Sequence, residues 1–432
     1  MKNLFIKSTL ILLIGGMFTK LIGFFIKIYY TRLIGIEGIG LLSIVMPTYS
    51  LLLSIANFNI QTSISKRISS GNNSSKTIVN AFYIMITIDV LLISFILLFG
   101  KYISIYLLKN KYTYIPIVVS CLSLPFISIG YIVKGYFYGK QNVLPHMISN
   151  VLEQLFRMLI IFIFLPRVLK YGTIISVSVL LGFNIFSELF SVVILYLFLP
   201  KKISINKDIF KTDRLVINSL LNISGPTVLG RLICNIGYFF EPIIFTNLLL
   251  YKGFSISNIN NQYGIYHMYA ISLLLFPSFF INAISNSLLP EISKFYSKND
   301  YNSIKRRIYQ SSFISLCLGL ILCSFIFIFR DFLLNMLYGN TLGSNYVKYI
   351  CFFFILFYLE GPLSSILIGI NKVKTCTLIS IFGMIIKLMV LVISIILGFN
   401  YYSLLISEVC NVIFVVLMEI ISIKNSFIFN DV

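Results

Sequence analysis

The chain has 432 residues, 58% hydrophobic and only 11% charged, with 34 Lys and Arg against 14 Asp and Glu for a net charge of +20. Mean hydropathy is +0.95. A soluble globular domain carries roughly 25% charged residues, so the composition excludes one and specifies an integral membrane protein. The basic excess does not argue for nucleic acid as partner, because the cations fall between apolar runs and form no basic face.

A bilayer core needs about 20 mainly apolar residues per helix. Twelve stretches meet that requirement: residues 8–31, 40–64, 78–99, 113–136, 146–166, 173–199, 216–250, 264–289, 311–329, 346–370, 376–397 and 400–422. The first opens like a secretory signal, with Lys2 and Lys7 ahead of an apolar core. It runs on to residue 31 without an A-x-A-like cleavage site, so it reads as an uncleaved helix. The fold class is therefore an all-α integral membrane protein of about twelve helices.

An even count puts both termini on one side. With the N-terminus inside, the inner connections hold twenty Lys and Arg and the outer ones nine, so the positive-inside rule predicts both termini in the cytoplasm. The remaining excess would attract anionic membrane lipids. The seven cysteines lie in or beside apolar runs without C-x-x-C spacing, which reads as small packing residues instead of disulfides or metal ligands. Only two histidines are present, His146 and His267, so no metal is expected, and His267 reads as a satisfied or interfacial residue.

The two halves carry a weak, ordered repeat. Lys20-Leu21-Ile22-Gly23 matches Arg231-Leu232-Ile233-Cys234, and residues 37–73 align with 263–300, each carrying I-S-K toward its end. Six segments per half would insert the same way up, as parallel repeats do. The expected organisation is an N-terminal lobe at 1–199, a cytoplasmic linker at 200–215 and a C-terminal lobe at 216–432, pseudo-symmetric around a central cavity.

No enzyme signature is present: no G-x-x-x-x-G-K-[ST], no H-E-x-x-H, no adjacent acidic pair and no nucleophile elbow. What remains are ionisable residues inside apolar runs, where a mid-depth charge costs about 2.5–3.5 kcal/mol and faces a bundle interior or cavity by default. Lys20 and Lys27 lie seven residues apart, close to two helical turns, and so share a face. Lys20 is mid-segment and reads as cavity-lining, whereas Lys27 is near the outer end and could equally snorkel. Arg231, at the repeat position of Lys20, would stand on the opposite wall of the same cavity.

Glu241 precedes Pro242 and reads as a coupling acid or a partner for a cation. Glu153 and Arg157, four apart, are expected to pair with each other. Asp89, Glu188, Glu360, Lys387 and Glu408 are expected to pair between helices, with Asp89 and Lys387 also open to a coupling role. Pro47 and Pro277 fall at matching places in the halves and would break gating helices there, unless they make static kinks.

Residues 18–52, FTKLIGFFIKIYYTRLIGIEGIGLLSIVMPTYSLL, followed by NFNIQTSISKRIS at 57–69, resemble the N-terminal pattern of the stage V sporulation protein B-like proteins. These form part of the mouse-virulence-factor, lipid II flippase branch of the multidrug, oligosaccharidyl-lipid and polysaccharide exporter superfamily. NSLLPEISKFYSKND at 286–300 resembles the loop after the eighth helix in that branch. The resemblance implies two six-helix lobes in a V and export of undecaprenyl-diphosphate-linked saccharides from the bacterial cell membrane, with lipid II as cargo for wall or spore cortex peptidoglycan. It carries a substrate-binding role to Lys20, Lys27 and Arg231. Many members have fourteen helices, and relatives often carry Arg where Lys stands here; a lysine ammonium meets phosphate as a point charge, not bidentately.

The expected activity is thus a flippase without a catalytic residue or cofactor, driven by H⁺, Na⁺ or the membrane potential, handing cargo toward cell-wall synthases. An inside-negative potential favours outward movement of an anion by about 2.3 kcal/mol per charge per 100 mV. An organic-cation antiporter or a teichoic acid or polysaccharide repeat-unit flippase is the alternative. A membrane transferase lacks its acidic metal cluster here, and a synthase scaffold would leave the buried charges unexplained.

Overall fold

A computed structural model of the chain describes residues 2–71, 73–199 and 212–428. Most of the expected linker at 200–215 lies outside the described residues. All regular structure among the described residues is helical, as a membrane interior demands of a backbone whose every polar group must be satisfied internally.

The N-terminal unit, residues 1–239, contains α1 (Lys2–Asn57), α2 (Ile60–Ser69), α3 (Ser74–Tyr102), α4 (Tyr114–Cys121), α5 (Leu124–Gly139), α6 (Leu144–Val168), α7 (Thr173–Leu197) and the first part of α8 (Arg214–Tyr251). The predicted spans 8–31 and 40–64 both fall on the continuous run of α1 and α2, of which Gly15–Ser69 counts as one apolar element. What divides them is Gly35, at φ 68° and ψ −175°, a backbone region that only glycine occupies without strain. Pro47 sits inside the helix, and the chain leaves α1 through Phe58 and Asn59, both at positive φ. The expected break at Pro47 is therefore displaced to Gly35 and to Phe58–Asn59.

The C-terminal unit, residues 240–432, holds the rest of α8, then α9 (Ile256–Gly264), a π-helical stretch Ile265–Ala270, α10 (Ile271–Leu275), α11 (Ser278–Ser297), α12 (Tyr301–Tyr338), α13 (Ser344–Ile350), α14 (Phe354–Gly369), α15 (Val373–Ile396) and α16 (Ser403–Ile428). Here proline does break the span: Ile256–Leu275 and Ser278–Ser297 meet at 54° around Pro277. Ten helical elements among the described residues are long and apolar enough to cross a membrane, and the bent pair makes eleven. Because the first element contains two predicted segments, these account for all twelve.

Each unit has its own apolar core. In the first, Ile60, Ile64 and Ile68 of α2 pack with Ala81 and Met85 of α3 and with Ile132 and Phe137 of α5. In the second, Leu288 and Ile292 of α11 pack with Leu363, Ile366 and Leu367 of α14 and with Val412 and Val416 of α16. α3 and α12 leave Leu91, Leu98, Phe313 and Ile321 exposed, apolar faces suited to lipid tails.

The repeat is visible in one close approach. A Cβ on Gly135 of α5 would lie 2.9 Å from the Gln61 carbonyl oxygen and 3.0 Å from Ile64 Cβ. A Cβ on Gly369 of α14 would lie 3.4 Å from the Leu289 carbonyl oxygen and 2.9 Å from Ile292 Cβ. Gln61 and Ile64 stand to the first I-S-K as Leu289 and Ile292 stand to the second. Both units therefore seat the same helix pair on a glycine, the small-residue contact that lets membrane helices approach.

Candidate functional site

A cavity of about 360 Å³ opens among α1, α5, α6 and α7 of the N-terminal unit. Gly23, Lys27, Tyr30 and Tyr49 line it from α1, Tyr131 from α5, Gln154 and Arg157 from α6, and Asn184 and Glu188 from α7. The Tyr49 hydroxyl is 3.1 Å from Ser123 Oγ, which fixes that wall.

The two cations of this cavity differ in kind. Arg157 donates to Glu153 Oε1 at 2.8 Å and to Ser187 Oγ at 3.0 Å, and its guanidinium lies 3.8 Å from Glu188 Oε1. The expected Glu153–Arg157 pair is present and extends to Glu188 and, at 4.0 Å, to Lys134 of α5. Lys134, near the end of the predicted span 113–136, is buried. Lys27 is half-buried, and no carboxylate among the described residues lies within ion-pair distance of it.

Lys20 and Arg231 do not join Lys27. Lys20 shares its helix face but lies seven residues away, about 10 Å along the axis, and is exposed and outside the lining of this cavity. Arg231 lines an adjoining cavity of about 220 Å³ with Ser50, Ser54, Asn57, Asn59 and Tyr131, which shares Leu53 and Tyr131 with the lining of the Lys27 cavity. Lys20 lines neither of these two cavities.

The C-terminal unit holds a buried charge cluster. Glu241 of α8 is fully buried; His267 Nε2 lies 2.9 Å from its Oε1, and the Tyr263 hydroxyl donates to the same oxygen at 3.4 Å. Lys387 Nζ of α15 is 2.6 Å from Glu241 Oε2 and 2.7 Å from Glu408 Oε2 of α16. Glu241, Lys387 and Glu408 therefore pair as partners, and the π-helical widening at Ile265–Ala270 brings His267 to them.

Asp89 and Glu360 do not follow the pairing expectation. Asp89 is buried on α3 beside Ser128 of α5, and Glu360 lies near Glu408, a like charge. Neither has an ion-pair partner among the described residues. Sequence reading also missed Glu419, buried on α16 and accepting from Ser364 Oγ at 2.5 Å, because it lies at the end of an apolar run where an exposed position is the default. No cluster of three or more metal-ligating side chains occurs among the described residues.

A family model described as "Polysaccharide biosynthesis protein" matches residues 5–296, more than half of the chain. The chain belongs to the polysaccharide biosynthesis protein family. A second model, MatE, matches residues 242–393 of this family member. Stage V sporulation protein B of Bacillus subtilis (strain 168) is 29% identical, covering 89% of this chain and 77% of that one. Lipid II flippase MurJ of the same organism is 22% identical over 90% of this chain and 77% of that one.

Among solved structures, a multidrug resistance MATE family transporter of the MOP superfamily in its inward-facing conformation superposes with a TM-score of 0.74 at 14% identity, covering 94% of both chains. A MOP superfamily transporter from Pyrococcus furiosus, whose description notes a binding pocket of reverse polarity, gives 0.63 at 14% identity over 99% and 94%. The chain is thus similar to stage V sporulation protein B, shares the fold of those solved transporters and, among the described residues, has helices enough to cross a membrane many times.

Proposed function

We propose that the chain is a flippase that moves undecaprenyl-diphosphate-linked saccharides across the bacterial plasma membrane by alternating access, with lipid II for wall or spore cortex as cargo. The observation that carries this reading is Lys27, a half-buried ammonium without a counter-ion in a tyrosine- and amide-lined cavity. A diphosphate supplies the missing charge, and Arg157, already neutralised by Glu153 and Glu188, orients the wall. Arg231 in its neighbouring cavity and Lys20 nearer the α1 start would meet the anion along its path. The names of the two Bacillus subtilis relatives, one referring to sporulation and the other to lipid II flipping, support the same class.

On this reading the protein transports and does not catalyse, both termini are cytoplasmic, and synthases of the cell wall consume the delivered cargo. The buried cluster around Glu241 and Lys387, together with Asp89, is where H⁺ or Na⁺ coupling would act; the membrane potential is the other source of drive.

A second reading, organic-cation antiport, is favoured by the MatE match at 242–393 and by Glu188 in the cavity. The two separate in cells with and without the protein. Labelled lipid-linked precursor should reach the outer leaflet with wild type and Lys27→Arg but fall strongly with Lys27→Gln. Unchanged precursor exposure without the protein, together with protein-dependent resistance to toxic cations, would replace the flippase reading.

A further inference from the structure

The C-terminal unit contains a cavity that no part of the mechanism above uses. It measures about 560 Å³, within the ~300–1,000 Å³ range of small-molecule sites. It lies where α12 ends, among Gln262, Arg330, Asp331, Asn345, Tyr346 and Tyr402. This is the end of α12 remote from the basic run Lys305–Arg307, which the proposed topology makes the outer face.

Its chemistry is specific. The Tyr346 hydroxyl donates to Gln262 Oε1 at 2.8 Å, which fixes the amide and leaves its two N–H donors for a ligand. Tyr346 and Tyr402 rings lie 5.6 Å apart, giving apolar faces beside the amides of Gln262 and Asn345. Tyrosines in an interfacial belt would point to lipid; Tyr346 is buried and lines the cavity.

The arginine of this cavity is already engaged within the chain. Arg330 Nε donates to Ser344 Oγ at 3.0 Å, its Nη1 to the Phe327 carbonyl at 2.8 Å, and its Nη2 lies 3.7 Å from Asp331. A lone arginine would select an anion; one whose Nε and Nη1 already donate within the chain favours a neutral ligand with many hydroxyl or amide groups. We propose that this cavity binds a saccharide of one or two rings, and so receives the sugar part of the cargo at the outer end of the C-terminal unit. The assignment of that sugar to the cargo rests on the flippase reading; the sugar binding itself does not.

The test uses the full chain in nanodiscs and N,N′-diacetylchitobiose as probe, read by saturation-transfer NMR and titration. Wild type and Lys27→Gln should both contact the sugar. Asn345→Leu, at an exposed position, and Tyr346→Phe, which frees the Gln262 amide, should each weaken it about fivefold, the loss of one hydrogen bond. Inorganic pyrophosphate should not compete. Absence of sugar contact in wild type, equal binding by both variants, or competition by pyrophosphate overturns the inference. Transport without sugar binding removes this site and leaves the flippase intact, whereas binding without transport does the reverse.

Discussion

Lys387 Nζ lies 2.6 Å from Glu241 Oε2, joining residues 146 positions apart on α15 and α8 in the interior of the C-terminal unit. Both side chains are buried, and Glu408 and His267 share in balancing them. Removing one partner of a buried pair costs about 3–5 kcal/mol, because the remaining charge is left uncompensated. Lys387→Met should therefore lower the thermal unfolding midpoint in detergent more than the double variant Lys387→Met/Glu241→Gln does. A double variant no more stable than Lys387→Met would show that the pair is not coupled.

Lys27 and Lys20 share a helix face but not an environment. Lys27→Gln should suppress outer-leaflet exposure of lipid-linked precursor, and Lys20→Gln should reduce it less, because Lys20 is exposed and outside the lining of the Lys27 cavity. Leaflet-resolved labelling of cells expressing each variant at equal membrane level measures the ranking, and the reverse order would exclude the Lys27 cavity as the main anion site.

Gly35 occupies φ 68° and ψ −175° within α1. Gly35→Ala should destabilise the protein by about 1–3 kcal/mol. Gly35→Asn should not rescue it, since Asn tolerates the ordinary left-handed region and not this one. Unfolding midpoints of the two variants compared with wild type provide the check.

Gly135 and Gly369 hold the α2–α5 and α11–α14 contacts. Alanine at either position places a methyl against a main-chain oxygen or an isoleucine and should cost about 1–3 kcal/mol through overpacking. Gly16→Ala, with no atom within 4 Å of its Cβ, should be close to neutral in the same unfolding assay.

Asp213 precedes α8 outside the spans and lies 2.6 Å from Lys76 Nζ. The Lys76 hydrogen bond, followed by the Leu215 amide, holds its carboxyl below the ordinary 3.8. A depressed carboxylate stabilises the folded state above its unfolded pKa and loses that contribution as pH falls through the folded value. The difference in unfolding midpoint between wild type and Asp213→Asn should be constant from about pH 7 to 5 and should close below pH 3.8. A constant difference down to pH 3 would remove Asp213 from the linkage.

The spans were legible because apolar run length is a local property: twenty apolar residues are committed to a helix in lipid whatever surrounds them. The Glu153–Arg157 pair was legible for the same reason, since a spacing of four is enough to bring two side chains together. Gly35 was not, because nothing local separates a glycine that bends a helix from one that packs in it, such as Gly135.

The chain alone thus determined a twelve-segment helical membrane protein, its repeat, and which residues carry charge at depth. Only the tertiary structure decided which of those charges are neutralised. Lys387 finds Glu241 and Glu408, Arg157 finds Glu188, and Lys27 finds no carboxylate among the described residues. Helices far apart in sequence must first be packed side by side before an ammonium's counter-ion is defined, and spacing along the chain does not encode that packing.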